Sequence, residues 1–332
     1  MSENLVSLQH LKLDLITSRG LIHAVRDISL DIRAGETHGI VGESGCGKTM
    51  TAKSILRLHD EKKTFYSGKI IYNSGDKTED IMKMNRKDLG AIRGKDIAMV
   101  FQDPMTTFDP LITVGEQIRE TILIHENISK QEATERVYGL LDEVGIYPPE
   151  KRYKQYPFEF SGGMLQRASI AMAVACRPKL LIADEATTAL DVTMQAQILD
   201  LLKKLKDEYH MSIVIITHNF GVIAELCDRV SVMYAGKIVE TGDVSAIFHQ
   251  PKHPYTKDLI DSIPRNEAAG EKLVTIPGFP PRLDRDIAGC PYAPRCRRTL
   301  PECRMRTPKL TDFGKEHRCS CHLYDEGGVE NV

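Results

Sequence analysis

The clearest chemistry in this chain lies in Gly42-Glu43-Ser44-Gly45-Cys46-Gly47-Lys48-Thr49, which fits the pattern G-x-x-x-x-G-K-[ST]. Phosphates carry dense negative charge, and glycines at this spacing let successive backbone N–H groups turn inward around them. An apolar run at Thr37–Val41 precedes the loop, and a helical pattern from Met50 to Leu58 follows it. A helix starting here presents its positive end to the same charge. Lys48 is expected to reach the β- and γ-phosphates, and the Thr49 hydroxyl to ligate Mg²⁺. The implied ligand is a nucleoside triphosphate; how its energy is used stays open. An ordinary glycine turn is the plainer alternative.

Two further stretches bear on the same chemistry. Leu180-Leu181-Ile182-Ala183 is an apolar run ending in Asp184-Glu185. Ligands of parallel sheets bind beyond the carboxyl ends of the strands. There Asp184 suits Mg²⁺ coordination, mainly through water, and Glu185 suits polarising an attacking water. The plainer reading is a helix-capping pair at a strand end. Between the two motifs, Ser161-Gly162-Gly163 can cap a following helix and expose its N–H groups. One loop already holds the phosphates, so a second anion-binding terminus suggests two chains meeting head to tail, each completing the other's site. A capped helix without a ligand is the alternative.

Strands and helices must hold these groups in place. Leu11, Leu13 and Leu15, then Ile28, Leu30 and Ile32, alternate with polar residues, which predicts antiparallel strands with a turn near Ser18-Arg19-Gly20. Further strands are expected at Ser67–Asn73 and Ile97–Phe101. Lys179–Ala183 and Ile213–Ile216 are continuous apolar runs, as in parallel strands buried on both faces. Val114–Val144 has helical periodicity, a helix follows Ser161-Gly162-Gly163, and Thr193–Tyr209 is an amphipathic helix. Val230–Tyr234 and Lys237–Thr241 flank Ala235-Gly236 as a hairpin. Past residue 246 the texture becomes rich in proline, glycine and cysteine, which predicts a loop-rich appendage without a sizeable core of its own.

The 332 residues are enough for one large core and an appendage, and the formal net charge of −2 supplies no global attraction to nucleic acid or anionic lipid. No apolar run approaches the ~20 residues of a membrane span. The start, Met-Ser-Glu-Asn, lacks the regions of a signal peptide, so folding in the cytosol is expected. Any membrane task would be performed docked to another chain.

With these motifs in order, the sequence resembles the ATPases of ATP-binding cassette (ABC) transporters. The resemblance implies that Gln102, in Phe101-Gln102-Asp103-Pro104, senses the γ-phosphate, contributes to the Mg²⁺ site and links to a permease. It implies that Ala189-Leu190-Asp191 crosses a dimer interface, and that His218, ending the strand at Ile213–Thr217, contacts the γ-phosphate. Gly42-Glu43-Ser44-Gly45, Phe101–Thr106, Ser161–Met164, His253-Pro254-Tyr255-Thr256, Gly289-Cys290-Pro291 with Pro294-Arg295-Cys296, and His317 with Cys321-His322-Leu323 narrow it to the ATPase subunits of oligopeptide/dipeptide importers. The implied fold is an α/β P-loop NTPase cassette: a mixed core sheet, an antiparallel β subdomain and a helical subdomain, with a loop-rich, Cys-containing C-terminal extension. The expected division is a nucleotide domain at 1–250, its helical part at about 103–176, and an extension at 251–332. ATP would lie between the 42–49 loop of one subunit and Ser161–Gly163 of the other. Implied partners are a second ATPase subunit, identical or a paralogue, two permease subunits and an extracytoplasmic solute-binding protein. The implied location is peripheral, on the cytoplasmic face of the cell membrane. Three departures stand out. Met164 replaces the usual Gln, Leu15 with His23 nearby stands where an adenine-stacking aromatic is common, and Cys46 replaces the commoner Ser. Cys46 is either a small residue that fits or a thiol whose alkylation blocks ATP.

Of the eight cysteines, five lie between Cys290 and Cys321. In a reducing compartment such a cluster points to metal before disulfide. The spacing of Cys290, Cys296 and Cys303 lacks the C-x₂₋₄-C knuckles of most structural zinc sites. The importer resemblance implies a four-iron–four-sulfur cluster on Cys290, Cys296, Cys303 and Cys321, with Cys319 extra, ahead of zinc and of unliganded thiols. Such a staple is expected to order the small tail. Arg295, Arg297, Arg298, Arg304, Arg306 and Lys309 make the tail basic. A solvated or protein-docking face is favoured over a nucleic-acid patch, because no aromatics interleave and the whole chain is not basic. No nucleic-acid partner is expected. An exporter ATPase and a nucleic-acid-linked ABC protein are the alternatives.

Overall fold

A computed structural model describes residues 3–18, 20–187, 191–263 and 275–325. In chain order its elements are β1 (Asn4–Thr17), β2 (Gly20–Arg33), β3 (Thr37–Val41), α1 (Lys48–Ile55), β4 (Thr64–Asn73), β5 (Thr78–Asp80), α2 (Arg86–Ile92), β6 (Ile97–Val100), α3 (Val114–His125), α4 (Lys130–Glu143), α5 (Pro149–Tyr153), α6 (Gly162–Val174), β7 (Leu180–Asp184), α7 (Val192–Tyr209), β8 (Ser212–Thr217), α8 (Phe220–Leu226), β9 (Arg229–Tyr234), β10 (Lys237–Asp243), α9 (Val244–His249), α10 (Pro254–Asp261), β11 (Leu310–Asp312) and β12 (Arg318–Ser320). They divide between two compact units, one holding the described residues of 1–3, 33–36 and 83–215, the other those of 4–32, 37–82 and 216–332.

In the first unit β6 and β7 pair in parallel, Ile97 opposite Leu180 through Val100 opposite Ala183. Every residue of β7 is buried, which explains its unbroken apolar sequence before Asp184. The helical period from Val114 to Val144 resolves into two helices. The chain leaves α3 at Glu126, and Ser129 starts α4 by accepting a hydrogen bond from the Glu132 N–H. The break does not disturb the apolar spacing, so periodicity alone read it as one segment. Ile118 and Ile122 of α3, and Val137, Leu140 and Leu141 of α4, are buried.

In the second unit a four-stranded sheet runs β2-β1-β4-β5. Strands β1 and β2 meet the alternation read from the sequence; of the expected turn, Arg19 lies outside the described residues. In the same unit β3 pairs in parallel with β9, and β9 pairs antiparallel with β10. Ala235 (φ 47°) and Gly236 (φ 78°) both adopt positive φ, the two-residue turn whose twist suits a hairpin.

The tail has only a small apolar cluster of its own and packs the rest against the cassette. β12 pairs antiparallel with β10, Glu240 opposite Cys319, and β11 pairs with β12. Tyr255 and Tyr292 are fully buried in one cluster with Val41, Phe220, Val232 and Tyr234. Cys319, Cys321, Leu323 and Tyr324 form a small cluster of their own. Strand addition and borrowed core both contribute to ordering the tail: its few large side chains are placed where the cassette's strands supply the rest of the apolar surface. Among the described residues no helix is long and apolar enough to cross a membrane.

Candidate functional site

The phosphate-loop candidate is built in the second unit. β3 is buried along its whole length and delivers the chain to Gly42. A side chain at Gly42 would put its Cβ 2.2 Å from the Met233 carbonyl oxygen, and one at Gly47 would put it 2.5 Å from that of Ala24. Gly47 also has φ 106°, so glycine is required there on both counts. The turn directs α1 away from the loop, with buried Lys48 as its first residue. Lys48 Nζ donates to the carbonyl oxygens of Gly42 (2.8 Å) and Glu43 (3.1 Å), so the ammonium lies against the loop's own backbone. Ser44 and Gly45 are exposed at the crest, and Thr49 is half-buried. Cys46 is buried and its thiol is raised by burial, only partly offset by Lys48. This favours the small-residue reading over a reactive thiolate. His218 follows β8 and is exposed, immediately before Asn219, whose side chain caps α8.

The first unit gathers the other candidates. Asp184 closes β7 and is 2% exposed. Glu185 follows in a left-handed conformation, φ 48°, unusual for a residue with a side chain. Gln102, just past β6, donates from Nε2 to Glu185 Oε2 at 2.8 Å. Parallel pairing of β6 with β7 is what brings these two together from 83 residues apart. Ser161 caps α6, its Oγ accepting from the Met164 N–H at 3.3 Å, and Ser161 and Gly162 are exposed. A Cβ at Gly163 would lie 2.4 Å from Met194 Cε. Asp191 caps α7 by accepting from the Met194 N–H at 2.9 Å. Ala189 and Leu190, expected to cross a dimer interface, lie outside the described residues.

Of the tail cysteines, Cys303, Cys319 and Cys321 are buried, and Cys290 and Cys296 are half-buried. Burial pushes Cys290 up to about 11 and Cys321 up to about 12, and the charges of Cys290, Cys296 and Cys303 raise Cys321 further. Cys290 N–H donates to the Cys303 carbonyl at 2.7 Å, tying two of the four segments directly. The segments of Cys290 and Cys303 are therefore adjacent. Yet among the described residues no group of three or more His, Cys, Asp or Glu side chains is placed to hold a metal ion. The expected iron–sulfur cluster and its zinc alternative thus find no support in the geometry.

The basic run of the tail also changes meaning. Arg295 is not part of a solvated face: its side chain is 5% exposed and grips the Glu43 carboxylate with both terminal nitrogens. The Glu43 N–H donates to the Tyr255 hydroxyl at 2.9 Å. Both residues stand in motifs quoted from the sequence, His253-Pro254-Tyr255 and Pro294-Arg295-Cys296. Nothing in a linear pattern pairs either with position 43.

Comparison with known proteins places the whole chain. A family model described as ABC transporter matches residues 25–188, and one described as Oligopeptide/dipeptide transporter, C-terminal region, matches residues 239–303. The dipeptide transport ATP-binding protein DppD of Bacillus subtilis (strain 168) is 46% identical, covering 98% of this chain and 96% of its own. The oligopeptide transport ATP-binding protein OppD of Escherichia coli (strain K12) is 46% identical, covering 94% of this chain and 91% of its own. Among solved structures, a dimeric post-hydrolysis state of the ATP-binding cassette MJ0796 bound to ADP and Pi has a TM-score of 0.63 at 26% identity, covering 72% of this chain and 98% of that one. The cbiO1 protein of Clostridium perfringens, part of the ABC transporter complex cbiONQ, has a TM-score of 0.60 at 26% identity, covering 75% of this chain and 92% of that one.

Proposed function

The chain belongs to the ABC transporter family of ATP-binding subunits, and from that premise we propose that it powers import of peptides or a related small solute through separate permease subunits. The observation that carries this reading is the 46% identity to a dipeptide transport ATP-binding protein over 98% of the chain. That span takes in the tail, whose family description names oligopeptide and dipeptide transporters. Neither the exporter nor the nucleic-acid alternative is favoured by these relatives.

The roles proposed for individual residues follow from their chemistry and order. Gly42, Glu43, Ser44, Gly45, Cys46 and Gly47 supply the backbone cradle for the phosphates, and Lys48 the cation. Thr49, Gln102 and Asp184 offer hydroxyl, amide and carboxylate oxygens, the hard donors that Mg²⁺ prefers. When bound, Mg²⁺ supplies charge neutralisation at the phosphates. Glu185 acts as base toward the attacking water, and its hydrogen bond with Gln102 keeps it oriented. His218 contacts the γ-phosphate. Ser161, Gly162, Gly163 and Asp191 serve the nucleotide of a second ATPase subunit. The proposed division keeps the nucleotide domain at 1–250, the permease-facing helices at about 103–176 and the extension at 251–332. The proposed assembly is two ATPase subunits, two permease subunits and an extracytoplasmic binding protein, with this chain peripheral on the cytoplasmic face.

A finer reading retains the four-iron–four-sulfur cluster on Cys290, Cys296, Cys303 and Cys321. Its support is the chemistry of the donor set, four thiols of which two stand on segments joined by the Cys290 N–H to Cys303 carbonyl bond. Iron and acid-labile sulfide assayed in anaerobically purified protein test it, and protein free of both rejects it. The function is tested by reconstituting the complex that co-purifies from detergent-solubilised membranes. ATP hydrolysis should rise when its binding protein is loaded with peptide. An intact complex indifferent to a peptide library would overturn the peptide assignment.

A further inference from the structure

Glu43 is the second residue of the loop, and its carboxylate adds negative charge where a triphosphate is to be held. Arg295 meets that carboxylate as a fork, Nη1 to Oε2 at 2.6 Å and Nη2 to Oε1 at 2.9 Å. The guanidinium is itself fixed. Nε donates to the Pro277 carbonyl at 2.8 Å, Nη1 also donates to the Tyr234 hydroxyl at 3.2 Å, and the group lies 5.8 Å from the centroids of both Tyr234 and Tyr292. Tyr255 packs at a tilt against the same two rings and receives the Glu43 N–H. The Glu43 carbonyl in turn accepts from Lys48 Nζ at 3.1 Å. One loop residue is therefore held through its amide and carboxylate by the tail, and through its carbonyl by the lysine that binds phosphate.

We propose that Arg295 and Tyr255 are positioning residues for the phosphate loop, and that Arg295 cancels the Glu43 charge so that the loop can accept a triphosphate. The C-terminal extension then contributes directly to nucleotide affinity, beyond docking. This rests on reading residues 42–49 as the ATP loop. The physical warrant is that a buried bidentate pair is geometrically specific, and that removing one partner leaves the other charge uncompensated. A bare carboxylate carried on the phosphate loop repels a triphosphate held by the same loop, the more so where the loop is partly desolvated.

The test uses the full chain, the fluorescent analogue mant-ATP with Mg²⁺, and steady-state ATPase assays. Arg295→Gln should weaken mant-ATP binding about tenfold or more and raise KM, while kcat stays within about twofold. Adding Glu43→Gln to it should restore affinity to within about threefold of the parent chain, because the charge that needed cancelling is gone. Glu43→Gln alone, which leaves the guanidinium in place, should bind at least as tightly as the parent and serves if Arg295→Gln does not fold. A purely structural clamp would instead lower the thermal midpoint and affinity together, with no rescue in the double variant; that result, or parent-like affinity in Arg295→Gln, overturns the proposal. If the parent chain itself fails to bind mant-ATP, it is the ATP reading of the loop that fails.

Discussion

The loop at 42–49 and the helix start at 161–163 are both glycine-rich turns that open a helix, and both are proposed to meet phosphate, yet they are built differently. The loop is buried at Gly42, Cys46, Gly47 and Lys48, and is braced by Tyr255, Arg295, Gly236 and its own lysine. Gly236 N–H donates to the Cys46 carbonyl at 2.8 Å, so the hairpin turn also supports it. By contrast, Ser161 and Gly162 are exposed, and the Ser161 hydroxyl is engaged with the Met164 N–H of its own helix. Under the proposed function, the first is braced to bind before the ligand arrives, and the second is a half-site for a nucleotide presented by another chain. The lesson is that similar local sequences differ in function by how much of the fold converges on them.

The comparison can be broken most decisively at the chemical step. Glu185→Gln should lower kcat about 10²- to 10⁴-fold while leaving mant-ATP affinity near that of the parent, since binding belongs to the loop and hydrolysis to the acid beside Gln102. Equal loss of affinity would show that the two functions are not separable.

A second test addresses the tail that braces the loop. Burial holds His253 down at about 4, and its Nδ1 accepts from the Tyr255 N–H at the entry to α10. Because the folded value lies below the unfolded one, the unfolded chain takes up the proton first. Stability from this group is complete above about pH 6.5 and is lost as pH falls toward 4, by about 3 kcal/mol in total. Thermal midpoints followed across that window should fall, and His253→Gln should flatten the profile.

Smaller effects sharpen the contrast. Ser161→Ala removes a helix cap worth about 1 kcal/mol. It should leave mant-ATP binding to a single chain unchanged and reduce hydrolysis severalfold only in the assembled pair. Tyr255→Phe deletes the one oxygen that receives the Glu43 N–H, and should raise KM for ATP about threefold with kcat unmoved. If both variants behaved alike in single-chain binding, the distinction between a braced loop and an open half-site would collapse.

Residue order alone located the glycine-rich loop at 42–49, the strand ending in Asp184-Glu185, the buried parallel strands and the hairpin at Ala235-Gly236. These are local: each depends on backbone freedom, apolar runs or period, which a short window contains. The helical stretch from Val114 was legible as helical but not as two helices, because a four-residue break preserves the apolar phase. Only the tertiary structure decided what the tail does. Arg295 looks like one more surface arginine until chain folding brings it 252 positions back to Glu43, and Tyr255 looks like a turn residue until its hydroxyl meets the same loop. A charge pair of that separation leaves no periodic trace in the sequence; its strength comes from burial and mutual orientation, which exist only once distant strands have packed.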